Sequence, residues 1–355
     1  APGFEHRVLP APARVFLGVG AQPHRDRPLR VAVTADGGRA YVTLQGLEDD
    51  AGHEVAVVDL RQRRTVRRIA VGSSPTGVAI HPAGRFAVVT NRFSNWASVI
   101  DTATDRVVLD VPTDFYATDV AFTPDGRRAY VTNRWRDAAL RWDLAVTAER
   151  FEVTRARAAA LSASRHPRDV AISPDGARLA IAGLDGLRVT LFELPGERLV
   201  ADVDLRAPVN DVVFAGPWLV ALTQGAGSGH PPLLGPDSDQ DGRPGDSTAN
   251  VNLQDQQNDL VVLRSSDGAV VERYTSDTLC CRDHRDVSPD DPALGAFVPR
   301  RQTWIVGGSV PEAAAVCGDP AAPTLHVAYL GSNEVEAFEL DLVRGALRPR
   351  SCVAV

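Results

Sequence analysis

The chain has 355 residues, 44% hydrophobic and 23% charged, so it carries enough apolar material for a large core and lacks the composition of a disordered or collagen-like chain. Its formal net charge of −7 disfavours a polyanionic partner such as nucleic acid, and no apolar run approaches the roughly 20 residues needed to span a bilayer. Lys and Met are both absent; all the cations are Arg, and the first residues are Ala1-Pro2-Gly3-Phe4, a beginning that predicts an exported chain, periplasmic or extracellular, whose targeting segment has been removed.

Taken from the N-terminus, Arg14–Gly20 (RVFLGVG) predicts a first strand, an outer one that closes against the C-terminal end. A repeat then takes over. Val31–Gly37 (VAVTADG), Val78–Gly84 (VAIHPAG), Val120–Gly126 (VAFTPDG) and Val170–Gly176 (VAISPDG) start 47, 42 and 50 residues apart, and a weaker copy begins 42 residues later at Val212. Each apolar run predicts a strand ending in a tight turn, because Pro and Gly preset the turn dihedrals and Asp bonds the backbone that follows it. After the turn come β-branched and aromatic strands, Ala40–Thr43 (AYVT), Ala87–Asn91 (AVVTN) and Ala129–Asn133 (AYVTN). Two more strands complete each unit, as in Glu54–Leu60 with Thr65–Val71 and Ala97–Asp101 with Arg106–Val111.

A four-stranded meander alone leaves its apolar faces wet, whereas successive meanders packed radially bury them. The expected fold is therefore all-β: a single-domain β-propeller over residues 1–355, with seven four-stranded blades, one degenerate at 276–309, or alternatively six. The tetrapeptides at 41–44, 88–91 and 130–133, together with the Ser/Thr-Pro-Asp-Gly turn, resemble the YVTN family of propeller repeats over residues 31 to 205. That resemblance implies a secreted or surface protein, or one that works beside periplasmic electron-transfer proteins.

Candidate sites follow from this geometry. Asp119, Asp169, Asp211 and Asp286 each precede an inner-strand run, which predicts a partial axial ring able to hold a cation, or else a set of caps for backbone N–H groups. His24, His166 and His284 sit in similar loops, where converging imidazoles would suit copper or iron and the bland alternative is a loop hydrogen bond or surface ion pair. The 225–257 insertion in blade five contains Asp237, Asp239, Asp241 and Gly242 in D-x-D-x-D-G spacing, with Asp246 beyond, which predicts a Ca²⁺ loop. Cys280, Cys281, Cys317 and Cys352 lack zinc spacing and predict disulfides, each of the adjacent pair joined to Cys317 or Cys352. Arg92, Trp96, Arg134 and Trp135 follow the YVTN-like strands and read as a protein-binding rim or as packing between blades.

No nucleophile elbow, zincin helix or P-loop is present. The leading expectation is an exported, calcium-stabilised module that binds a protein, such as a redox partner, without chemistry of its own. The alternatives are a hydrolase similar to the lactonase propellers, acting through an axial cation, and an oxidoreductase with axial copper or iron.

Overall fold

The computed structural model describes residues 5–8, 27–47, 50–162, 165–224, 259–275, 310–330 and 334–354. All regular elements among them are strands, and no helix long and apolar enough to cross a membrane is found there. The first strand, β1 (Glu5–Val8), belongs with the C-terminal sheet.

Two compact units are present. The unit built on Leu9–Asp204 holds four antiparallel meanders. The first is β2 (Pro28–Val33), β3 (Arg39–Gly46), β4 (Ala51–Asp59) and β5 (Arg64–Ala70); the second is β6 (Pro75–Ile80), β7 (Phe86–Asn91), β8 (Trp96–Asp101) and β9 (Arg106–Pro112). The third is β10 (Ala117–Phe122), β11 (Arg128–Asn133), β12 (Ala138–Val146) and β13 (Phe151–Ser162); the fourth is β14 (Pro167–Ile172), β15 (Arg178–Gly183), β16 (Arg188–Glu193) and β17 (Arg198–Asp204).

Within this unit the first strands lie side by side, β2 against β6, β6 against β10 and β10 against β14. Apolar residues of successive sheets interlock: Val55, Val57 and Ile69 of the first pack with Ala87, Val89 and Ile100 of the second. Val88 and Val99 of the second meet Val131 and Trp142 of the third, and Tyr130 of the third meets Leu179 and Ile181 of the fourth. Burial on both faces explains why β7 opens with the apolar run Phe86–Val89 and has every residue buried, while the outer strand β9 exposes most of its side chains.

The other unit comprises Ala1–Val8, Leu205–Arg264 and Ala269–Val355. It contains β18 (Val209–Ala215), β19 (Trp218–Thr223), β20 (Asp259–Arg264) and β21 (Val270–Thr275), then β22 (Val310–Asp319), β23 (Ala322–Leu330), β24 (Glu334–Asp341) and β25 (Ala346–Ala354). Leu222, Val262, Leu325 and Phe338 share its core. Strand β1 adds to β25 in parallel, Glu5 opposite Ser351, making a fifth strand on that sheet. The sequence placed this edge role at 14–20; that stretch and the degenerate blade at 276–309 lie outside the described residues.

Six sheets are thus described, each built on four antiparallel strands that neighbour one another in chain order. The repeat motif explains how each is locked. Near the start of each first strand the register slips by a bulge, between Pro28 and Val31, Pro75 and Val78, or Ala117 and Val120, which takes one amide out of the ladder. The Thr of the tetrapeptide accepts that amide: Arg30 N–H to Thr43 Oγ1 at 3.0 Å, Gly77 to Thr90 at 2.8 Å and Asp119 to Thr132 at 3.0 Å. These Thr side chains are buried, so the hydroxyl is the bulge amide's substitute for water. The Tyr reaches the next sheets instead, Tyr41 to Asp105 at 2.7 Å and Tyr130 to Glu197 at 3.1 Å.

Candidate functional site

In the Leu9–Asp204 unit, one set of loops gathers the chemically active side chains. These are the turns between second and third strands and the connections from one sheet to the next. Asn133 braces both kinds. Its amide donates to the carbonyls of Thr113 (3.1 Å) and Phe115 (3.0 Å), and its Oδ1 accepts from the Arg136 amide at 2.9 Å. Tyr116 and His166 hold the same repeat position, each four residues before the Val of its motif, and both adopt left-handed φ, 72° and 53°. Their carbonyls accept the amides of Arg134 and Leu184, both at 3.0 Å, so the unfavourable conformation is held by the neighbouring turn.

On this frame lies a rim of rings and cations. Arg92 stands over Tyr116, its Cζ 4.5 Å from the ring centroid, hydrogen-bonds the phenol oxygen, and lies 4.8 Å from the Phe93 centroid. Arg134 approaches the same Tyr116 ring at 5.5 Å. Phe93 stacks on Phe115 at 6.4 Å, and Trp135 meets Phe115 edge-on at 6.2 Å while remaining 75% exposed.

Next along the rim, Asp185 Oδ2 serves two groups. It bonds Nδ1 of His166 and lies 3.8 Å from the Arg134 guanidinium. The His166 backbone amide is fixed separately by Asp137 Oδ1 at 2.7 Å. Because a carboxylate only accepts, Nδ1 carries the proton in the neutral ring and Nε2 presents its lone pair. Among the described residues Nε2 has no hydrogen-bond partner, and the His166 side chain is 41% exposed. This is an oriented imidazole beside a cation, an arrangement suited to deprotonating water and stabilising an oxyanion.

The other predicted site residues are placed differently. Asp119 and Asp169 lie on the first strands β10 and β14, both buried. Asp119 Oδ2 accepts the Val170 amide at 3.4 Å, and its side chain occupies the space beside Gly77. Arg30, from the first sheet, reaches Asp169 Oδ1 at 2.9 Å. Asp211, in the other unit, accepts the Ala314 amide at 2.6 Å. Among their contacts, Asp119 and Asp211 accept backbone amides and Asp169 accepts from an Arg. Among the described residues no three His, Cys, Asp or Glu side chains are grouped as metal ligands.

Asp286, His24, His284, the 237–246 loop with Asp237, Asp239, Asp241 and Asp246, and Cys280 and Cys281 lie outside the described residues. Cys317 is exposed and free among the described residues. Trp96 is 39% exposed at the start of β8 and takes no part in the ring contacts around Tyr116.

The sequence reading included Arg92, Arg134, Trp135 and His166 but missed Phe115, Tyr116, Asp137 and Asp185. A signal for two of them existed: Asp185 occupies the repeat position of Phe93 and Trp135, and Tyr116 that of His166.

Comparison with known proteins adds an independent constraint. The family described as "Lactonase, 7-bladed beta-propeller" matches residues 100–214, the stretch that holds Tyr116, Arg134, His166 and Asp185. No curated protein matches the sequence. Among solved structures, hydrazine synthase of Kuenenia stuttgartiensis is similar at 21% identity, covering 92% of this chain and 80% of that one with a TM-score of 0.66. A putative 6-phosphogluconolactonase of Bacteroides uniformis is similar at 15% identity, covering 90% and 82% with a TM-score of 0.60. Its counterpart from Bacteroides fragilis is similar at 14% identity, covering 91% and 85%, also at 0.60. At these identities the likeness concerns fold, and the all-β β-propeller class stands.

Proposed function

We propose that the rim around His166 opens lactones by hydrolysis. The observation that supports this most is the single Asp185 oxygen shared by His166 Nδ1 and Arg134, inside the segment that resembles the lactonase propellers. His166 Nε2 takes a proton from water as the water oxygen attacks the lactone carbonyl. The carbonyl electron pair moves onto oxygen, where Arg134 neutralises the growing charge. Collapse of the tetrahedral adduct breaks the ring C–O bond, and the imidazolium returns its proton to the leaving alkoxide, giving the hydroxy acid. Asp185 keeps the imidazole in the productive tautomer and stabilises its protonated form.

This reading uses a rim base, so it differs from a mechanism through an axial cation. The test is titrimetric hydrolysis of a panel of γ- and δ-lactones by the full chain, its His166→Gln variant and its Asp185→Asn variant. Opening should be well above the buffer rate, and His166→Gln should lower kcat by about 10²–10⁴-fold. A chain that opens none of the panel, or a His166→Gln variant as fast as the parent, overturns the reading.

The second reading, a protein-binding module for an electron-transfer or other partner, draws on the exposure of Trp135 and Phe115, 75% and 40%. It predicts capture of a folded partner that is lost in Trp135→Ala and unaffected by His166→Gln.

A further inference from the structure

The rim shows more than a base and a cation. Two guanidiniums, from Arg92 and Arg134, are held against one phenol ring, with Cζ atoms 4.5 and 5.5 Å from its centroid. Each comes from the turn after a second strand, in adjacent sheets, and Tyr116 comes from the connection between those sheets. Beside them lie the Phe93 and Phe115 rings, inclined by 23°, and then Trp135 with most of its indole in solvent. Trp135 follows Arg134 directly, so an apolar platform and a positive pair sit in adjoining positions. The side-chain amide of Asn133, the neutral polar group nearest in sequence, is committed to main-chain partners on both sides. The described rim thus offers a ligand aromatic faces and guanidiniums, with the Asp185 carboxylate beside Arg134.

We propose that the Arg92–Tyr116–Arg134 stack with Trp135 is a binding site for a small planar anion, a flat apolar ring bearing a carboxylate, and that the lactones opened at His166 belong to this class. The carboxylate lies against the two guanidiniums and the ring lies on the Trp135 indole. The frame is set before binding, since Asn133 and the left-handed Tyr116 fix the loops that carry these groups. The ligand class stands on the rim alone; its link to turnover rests on the hydrolytic reading above.

Coumarin-3-carboxylate is a suitable probe, being a planar lactone with one carboxylate. Calorimetric titration of the full chain should show one site for it. Neutral coumarin should bind at least tenfold more weakly, and glucono-δ-lactone, polar and uncharged, should give no heat. Trp135→Ala should weaken the probe at least tenfold, and since that side chain is 75% exposed its loss leaves the fold intact. Arg92→Gln and Arg134→Gln should each do the same, with unchanged urea midpoints as the check on folding, and affinity should fall as salt is raised. No binding of the probe, or equal binding by all variants, overturns the proposal.

Binding that survives in His166→Gln with no ring opening by either chain sinks the hydrolytic reading and leaves the site. Ring opening that depends on His166 yet is indifferent to Trp135 and Arg92 sinks the site and leaves the hydrolysis.

Discussion

Replacing Thr90 by Val removes one hydroxyl and almost nothing else, since the two side chains have nearly the same volume. In the native chain Thr90 is fully buried, accepts the Gly77 amide at 2.8 Å and donates to the Thr118 carbonyl of the neighbouring sheet at 3.1 Å. Valine leaves the Gly77 N–H in the bulge without an acceptor, at about 1–3 kcal/mol, and deletes a neutral hydrogen bond contributing about 1 kcal/mol, so the expected loss is about 2–4 kcal/mol. Thr90→Ser keeps both bonds and gives up one buried methyl, about 1 kcal/mol. Urea titrations followed by circular dichroism measure both, and Val should fall below Ser by at least about 1 kcal/mol. In a thermal scan a 3 kcal/mol loss would appear as a midpoint lower by about 6–12 °C for a unit of some 200 residues. Equal midpoints for Val and Ser, or a Val variant within about 0.5 kcal/mol of the parent, would refute the assignment of this Thr as the bulge acceptor.

Other outcomes follow from the same structure. Gly77→Ala places a Cβ 2.4 Å from Asp119 Oδ1 and 2.6 Å from its Cα, a clash with backbone expected to cost about 1–3 kcal/mol in urea; an unchanged midpoint contradicts the close approach. The turn carboxylates of Asp125 and Asp175 are held below the ordinary value of 3.8 by the Thr123 and Ser173 hydroxyls first and by the Arg127 and Ala177 amides next. A depressed acid stabilises the fold above its unfolded value and ceases to do so as pH falls through its native one, so stability should drop below pH 3.8. The double variant Asp125→Asn/Asp175→Asn should flatten that part of the profile, and an unaltered slope contradicts it. Burial first, then Glu197, pushes the Tyr130 hydroxyl up to about 12, and burial raises Tyr41 as well, so ultraviolet titration should show late phenols, one fewer in Tyr130→Phe. The Asp237–Gly242 spacing predicts one Ca²⁺ per chain by calorimetry, abolished in Asp239→Asn/Asp241→Asn; no binding heat in the parent removes it.

The repeat made the strands legible. Val31, Val78, Val120 and Val170 all fall in the strands expected of them; burial between sheets accounts for the last three, while Val31 is 59% exposed. Pairings between periods were far less visible. Arg30, Gly77, Asp119 and Asp169 share one repeat position, yet nothing in the local sequence says that Arg30 reaches Asp169, 139 residues away. The rim was half legible for the same reason. Arg92, Arg134 and Trp135 stood out after their strands, whereas Phe115 and Tyr116 lie in a connection with no motif of its own. Asp185 sits in a turn without a motif, and only the fold sets it against His166.

A crystal structure with 2-oxo-1,2-dihydroquinoline-3-carboxylate, an unhydrolysable lactam analogue of the probe, decides whether one rim both holds and opens its ligand. The carboxylate should lie between Arg92 and Arg134, the rings on Trp135, and the carbonyl carbon within a water's reach of His166 Nε2. Density for the analogue at the Pro-Asp-Gly turns, or between outer strands with the rim empty, would contradict that placement.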